Sequence, residues 1–199
     1  MKLHIKYNKT ALREFQKKLQ IRERALPTLK NKEAAFRAMV IEAKRELLKA
    51  REFYGSVLNS ISPWSALWQE YNQNLAVIKN VDSREVKIAG LRIPEFEKID
   101  FEESGFSIFS NPFWFNEGVT IVEELMETIV RREFMENKLR LLEQARKKAT
   151  QKVNLYEKVQ IPALSEAIKQ IKRYLEDEEN LAKAGQKLLK VKLEKAQLS

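Results

Sequence analysis

Residues 12–61 read LREFQKKLQIRERALPTLKNKEAAFRAMVIEAKRELLKAREFYGSVLNSI, and the spacing of their apolar side chains sets the fold. A register of alternating three- and four-residue steps starts at Leu12 and passes through 15, 19, 22, 26, 29, 33, 36, 40, 43, 47, 50, 54, 57 and 61. Thirteen of its fifteen positions are apolar (Leu12, Phe15, Leu19, Leu26, Leu29, Phe36, Val40, Ala43, Leu47, Ala50, Tyr54, Val57 and Ile61), where a hydrophobic content of 44% would fill fewer than half. That spacing draws one stripe along a helix, the seam of a coiled coil. The two exceptions, Arg22 and Glu33, can pack their stems in the seam while their heads reach water or a partner, as register-setting or as functional charges. Pro27 removes the bond from its own nitrogen to the Glu23 carbonyl, which predicts a kink or a break. Gly55 is a milder interruption of about 1 kcal/mol.

A second seam runs through Ile121, Leu125, Met135, Leu139, Leu142, Ala149, Val153 and Tyr156, with Thr128, Arg132 and Arg146 as polar members. It then skips phase by one residue and resumes at Ile161, Leu164, Ile168, Ile171 and Leu175. The skip coincides with Pro162, as expected of a helix bent or restarted there. Past Leu175, an acidic run to Glu179 gives way to a Lys-rich tail in which Leu181, Leu188 and Val191 keep helical spacing. Between the seams the period changes to two. Val86 and Ile88, then Leu91 and Ile93, alternate about Gly90, followed by Pro94, Phe96, Ile99, Phe101, the turn signal Ser104-Gly105, Phe106 and Ile108. This predicts a β-hairpin or small meander within roughly 80–115. Trp64, Trp68, Phe113, Trp114 and Phe115 flank it and read as an aromatic knot closing the junctions.

Neither stripe can be buried by its own helix, so the simplest solution is a mainly α fold: a long antiparallel two-helix coiled coil with a small central β-hairpin or irregular insert. The expected parts are an N-terminal coiled-coil helix within 1–75, an insert over 76–116 and a C-terminal coiled-coil helix over 117–199, forming one elongated domain. A first helix over about 11–70 would extend roughly 90 Å. Charge is polarised along this rod. Residues 1–32 hold ten Lys/Arg against Glu14 and Glu23, and residues 183–199 hold five Lys against one Glu, whereas residues 82–127 hold eleven acids against four bases. Folding back therefore gathers the basic ends at one tip.

Several chemistries are disfavoured. Cysteine is absent, which removes disulfides and thiolate chemistry, and the one histidine, His4, reads as a solvated surface residue. The five glycines are too scattered for a phosphate-cradling loop, and adjacent acids such as Glu123 and Glu124 read as a solvated helix face. No catalytic, cofactor-binding or metal-binding residue is expected. No stretch approaches the roughly 18 apolar residues of a membrane span and the start lacks a secretory signal, so a cytosolic or membrane-peripheral location is expected.

The run Val153-Asn154-Leu155-Tyr156-Glu157, then Ile161-Pro162-Ala163-Leu164, Ile168, Ile171 and Leu175-Glu176-Asp177-Glu178-Glu179 before a Lys-rich end, resembles the C-terminal signature of the D-subunit family of V/A-type ATPases. A proline inside a long heptad helix is costly, which makes that match specific. The opening Thr10, Leu12, Lys17, Lys18 and Leu19, the run Leu29-Lys30-Asn31-Lys32-Glu33, and Leu91-Arg92-Ile93-Pro94 are also similar to the family. Departures are Pro27, Lys152 where an Arg is usual, and the stretch Phe113-Trp114-Phe115. The resemblance implies a central-stalk rotor shaft, itself without a catalytic site. Its two ends would enter a hexamer of A and B subunits, and its other end, with the small F subunit, would sit on the membrane-ring adaptor, the C or d subunit. Such a shaft couples ATP synthesis or hydrolysis to proton or sodium translocation at the cytoplasmic face of the membrane. On this reading the basic tip, Lys2, Lys6, Arg13, Lys17, Lys18, Lys187, Lys190 and Lys192, faces the hexamer.

Two other readings compete. A basic helical hairpin can grip a phosphate backbone, but aromatics are not interleaved with the Lys/Arg runs, so nucleic acid is not the expected partner. A membrane-surface scaffold would need its basic residues along the whole rod, whereas here they concentrate at one end.

Overall fold

The computed structural model describes residues 4–70, 76–102 and 112–197. Helix α1 spans Lys9–Ile61, strands β1 and β2 span Ile78–Ile88 and Leu91–Phe101, α2 spans Phe115–Asn154, and α3 spans Ile161–Gln197 after a π-helical turn over Leu155–Gln160. The chain forms two compact units, one of Met1–Glu33 with Lys148–Ser199 and the other of Ala34–Lys147.

The buried residues of α1 are Phe15, Phe36, Val40, Ala43 and Leu47, every one on the register that begins at Leu12. The remaining positions of that register are half-buried. Asn8 precedes the helix and caps it, its side-chain oxygen accepting from the Ala11 backbone N–H at 2.7 Å and satisfying one of the open donors of the first turn. Of the kink or break expected at Pro27, the break does not occur, because α1 continues through it. One missing intrahelical bond is outweighed by the packed turns on either side. At the other end α1 stops at Ile61 instead of reaching 70. A short 3₁₀ turn over Ser62–Trp64 follows, with Pro63 in its first turn where a missing N–H costs no intrahelical bond, and a second 3₁₀ turn covers Leu67–Glu70.

In the first unit, Phe15 of α1 packs with Leu164, Ile168 and Ile171 of α3, edged by Ile5, Leu12, Leu19 and Leu175. The pairing is antiparallel. Tyr7 meets Tyr174 with ring centroids 4.9 Å apart, and Arg22 meets Gln160 at 2.6 Å. Lys30 meets Glu157 at 2.6 Å, and Glu33 accepts from the Thr150 hydroxyl at 3.0 Å. As positions on α1 rise, their partners fall. The predicted phase skip is the π turn itself. The seam steps five residues from Tyr156 to Ile161, and the Ile161 N–H bonds the Tyr156 carbonyl five residues back. The helix is rewound there, neither broken nor restarted. Pro162 follows directly, and the wider turn relieves the clash of its ring with the Lys158 carbonyl, although Pro27 shows that a proline alone does not force such a turn.

In the second unit, α1 and α2 are again antiparallel. Lys44 pairs with Glu143 at 2.9 Å, Glu46 with Lys138 at 3.0 Å and Arg51 with Glu136 at 2.9 Å, over buried Val40, Ala43, Leu47 and Leu142. Strands β1 and β2 form a two-stranded antiparallel hairpin with Val86 opposite Ile93 and Ile88 opposite Leu91. Its two-residue turn puts Ala89 at φ 49° and Gly90 at φ 84°, the paired left-handed geometry whose twist matches that of the strands. Pro94 sits inside β2 opposite Glu85 and is tolerated because both strands of so small a sheet are edges. The hairpin is seated on α2 by Phe96, whose ring lies 5.9 Å from that of Phe134 and under the Arg131 guanidinium at 5.1 Å. Ser104, Gly105, Phe106 and Ile108, the expected continuation of the β region, lie outside the described residues.

Candidate functional site

The charged residues in the α1 seam find partners on the opposite helix. Arg22 donates through Nε to Gln160, donates through a terminal nitrogen to the Lys18 carbonyl at 3.0 Å, and lies 5.9 Å from the Tyr156 ring centroid. Glu33 receives the Thr150 hydroxyl. On the second seam, Arg132 stacks over Tyr54 at 4.9 Å, while Arg146 is exposed. Arg22 and Lys30 thus both reach the π turn, through Gln160 and Glu157. These are stacked or hydrogen-bonded contacts with defined geometry, so they specify how the two helices align as well as adding stability. Lys138 is a further such residue, bridging Glu46 on α1 at 3.0 Å and Glu95 on β2 at 3.9 Å with its side chain only 22% exposed. Nothing in its local sequence distinguishes Lys138 from other helix-surface lysines, so sequence reasoning missed it.

Of the eight residues of the expected basic tip, Lys6, Arg13, Lys17, Lys18, Lys187, Lys190 and Lys192 are exposed and belong to the first unit, while Lys2 lies outside the described residues. They do not form a single cluster. Tyr7 is level with Tyr174, so Lys187 lies thirteen residues farther along α3, about 20 Å at helical rise. The α1 bases flank the paired part of the unit, whereas the α3 bases occupy a stretch that runs past the start of α1. That stretch is apolar as well as basic. Leu181 is 74% exposed, Leu188 65%, Leu189 63% and Leu193 64%, and every described side chain from Glu176 to Leu193 is exposed.

At the far junctions of the second unit, Trp68 and Trp114 meet edge to face at 5.6 Å and Trp114 meets Phe115 at 4.7 Å, with Phe115 and Val119 buried beneath. The expected aromatic knot is therefore smaller than the sequence suggested. Phe113 is 94% exposed and takes no part in it, since the turn before α2 points it outward, and the Trp64 side chain lies outside those described. On the hairpin, Lys98 lies 3.1 Å from Asp100 and 3.3 Å from Asp82. Hydrogen bonding to Asp100, then to Asp82, holds its ammonium above the ordinary lysine value. Among the described residues, no group of three or more His, Cys, Asp or Glu is placed to hold a metal ion, and no helix is long and apolar enough to cross a membrane. His4 is exposed.

The sequence model of the ATP synthase D-subunit family matches residues 11–192, which takes in both seams, the hairpin and the π turn. The chain belongs to the D-subunit family of ATP synthases. Relatives of this D-subunit chain match nearly end to end. It is 31% identical over 200 residues to the V-type ATP synthase D subunit of Chlamydia caviae, covering 98% of this chain and 96% of that protein. The corresponding protein of Chlamydia felis is also 31% identical over 200 residues, with the same coverage of 98% and 96%. That of Borreliella burgdorferi is 28% identical over 191 residues, or 95% of each chain. On this D-subunit chain the exposed apolar and basic end of α3 is the most conspicuous surface feature among the described residues.

Proposed function

We propose that this chain is the central rotor shaft of a V/A-type ATP synthase or ATPase. It transmits torque between ATP synthesis or hydrolysis in a hexamer of A and B subunits and proton or sodium translocation in a membrane ring, and it has no catalytic site of its own. The observation that carries this reading is the end of α3. An isolated helix in water gains little from five exposed large apolar residues, Leu181, Leu188, Leu189, Val191 and Leu193, and such a surface is characteristic of a segment that is covered in an assembly. The interleaved Lys183, Lys187, Lys190 and Lys192 suit a cavity ringed by acidic side chains. On this reading the basic tip, from Lys2, Lys6, Arg13, Lys17 and Lys18 to the α3 lysines, turns inside the hexamer.

The helical arms within 1–75 and 117–199 carry the torque, and the insert at 76–116 faces the F subunit and the adaptor, the C or d subunit. The shaft is then peripheral, held at the cytoplasmic face of the membrane through the complex. Antiparallel seams suit the work because twisting one helix against its partner must displace the buried side chains that hold them in register. The test is charge reversal in a reconstituted complex. Lys187→Glu, Lys190→Glu and Lys192→Glu together are expected to weaken assembly with the A/B hexamer or to lower ion pumping per ATP hydrolysed. Should these reversals leave hydrolysis and pumping intact while reversals among the acids of 82–127 abolish assembly with the hexamer, the proposed orientation is wrong.

A further inference from the structure

In the second unit, a cavity of about 450 Å³ opens between the last turns of α1, the first turns of α2 and the 3₁₀ turn that carries Trp68. Its apolar walls include Phe53, Val57 and Ile121, and the perpendicular pair Trp68 and Trp114 forms one corner. The charged lining is acidic. Glu117 and Glu124 stand two turns apart on α2, and Ser56 and Ser60 face them from α1. The Ser56 hydroxyl donates to the Phe53 carbonyl at 2.7 Å and that of Ser60 to the Val57 carbonyl at 2.7 Å, so the hydrogen of each is committed and its oxygen can serve a ligand only as an acceptor. Among the described residues no Lys, Arg or His lines it, although the chain as a whole carries a formal charge of +9.

We propose that this cavity binds a small organic ammonium ion with an apolar body. Two carboxylates and two hydroxyl oxygens offer hydrogen-bond acceptance and negative charge, and an anion would find no cationic partner in the wall. Indole faces attract a cation through the ring quadrupole, most strongly for Trp, and the same rings bury the apolar body of the ligand. The volume lies in the range of sites that enclose a single small molecule. This inference rests only on side chains of the second unit and stands or falls independently of the rotor reading.

The probe is benzylammonium, the protonated form of benzylamine at neutral pH, titrated calorimetrically into the purified 199-residue chain, with benzyl alcohol as the neutral aromatic control. Saturable binding is expected, at least about tenfold tighter than that of benzyl alcohol and at least about tenfold weaker in the double variant Glu117→Gln, Glu124→Gln. Both glutamates are exposed on a helix surface, so the double variant keeps the fold, which its circular dichroism checks. Binding must also shift the indole N–H resonance of Trp114, assigned by its loss in Trp114→Phe. The proposal is overturned if no saturable heat develops through the millimolar range, if benzyl alcohol binds equally well, if the double variant binds unchanged, or if the Trp114 resonance stays fixed.

Discussion

The α1 backbone passes through Gly55 in helical geometry, while the hairpin turn holds Ala89 at φ 49°. Each position carries the residue that the other backbone would favour. A Cβ added at Gly55 would meet nothing within 4 Å, so Gly55→Ala should raise stability by about 0.5–1 kcal/mol through the lower entropy of the unfolded chain. Ala89→Gly should give a similar gain of about 1 kcal/mol by removing the left-handed penalty of a side chain. Urea unfolding of the single variants measures both, and a midpoint that falls for either one refutes the account of that position. The penalty at Gly55 could be read from the sequence, since glycine propensity is a local property. The strain at Ala89 could not, because the strand pairing imposes it.

At the scale of elements, the π turn illustrates how a conflict between two local rules is resolved. The seam requires Ile161 to fall on the stripe occupied by Tyr156, five residues earlier, and Pro162 disfavours an ordinary α turn just before it. Widening the turn over Leu155–Gln160 satisfies both, at the expense of leaving Leu155 43% and Val159 39% exposed. Deleting Val159 together with Pro162→Ala should therefore convert the π turn to α-helix while keeping Ile161, Leu164, Ile168 and Ile171 on the seam, with no loss in unfolding midpoint. Deleting Lys169 instead rotates Ile171 and Leu175 off the stripe and should cost about 3 kcal/mol or more. Thermal or denaturant unfolding of the two deletions decides this, and equal losses would refute the phase-matching explanation. The phase skip and the proline were both visible in the sequence, whereas the choice of rewinding over breaking was not. Similarly, Gly90 announced the hairpin and Pro63 was available to mark the end of α1, yet the expected helix to about 70 overran it into the two 3₁₀ turns.

Considered as a whole molecule, the chain divides its apolar residues into those it buries itself and those it leaves for others. Ile171 is fully buried at 0% exposure and Leu188, on the same helix, is 65% exposed. Ile171→Ala should destabilise the isolated chain by about 2–5 kcal/mol. The pair Leu181→Gln, Leu188→Gln should leave its unfolding midpoint within about 0.5 kcal/mol while weakening assembly with the A/B hexamer. Loss of stability in the isolated chain from the second pair would show that the end of α3 packs on its own protein. The sequence by itself determined the helical class, the two stripes, the hairpin turn and the separation of charge, because each depends on residues a few positions apart. Only the tertiary structure decided that Arg22 meets Gln160, that Lys138 joins α1 to β2, that α3 runs past the start of α1, and that Trp68 and Trp114 form the corner of a cavity. Those outcomes pair residues tens to more than a hundred positions apart, and side-chain shape and helix alignment select the partners once the stripes have come together.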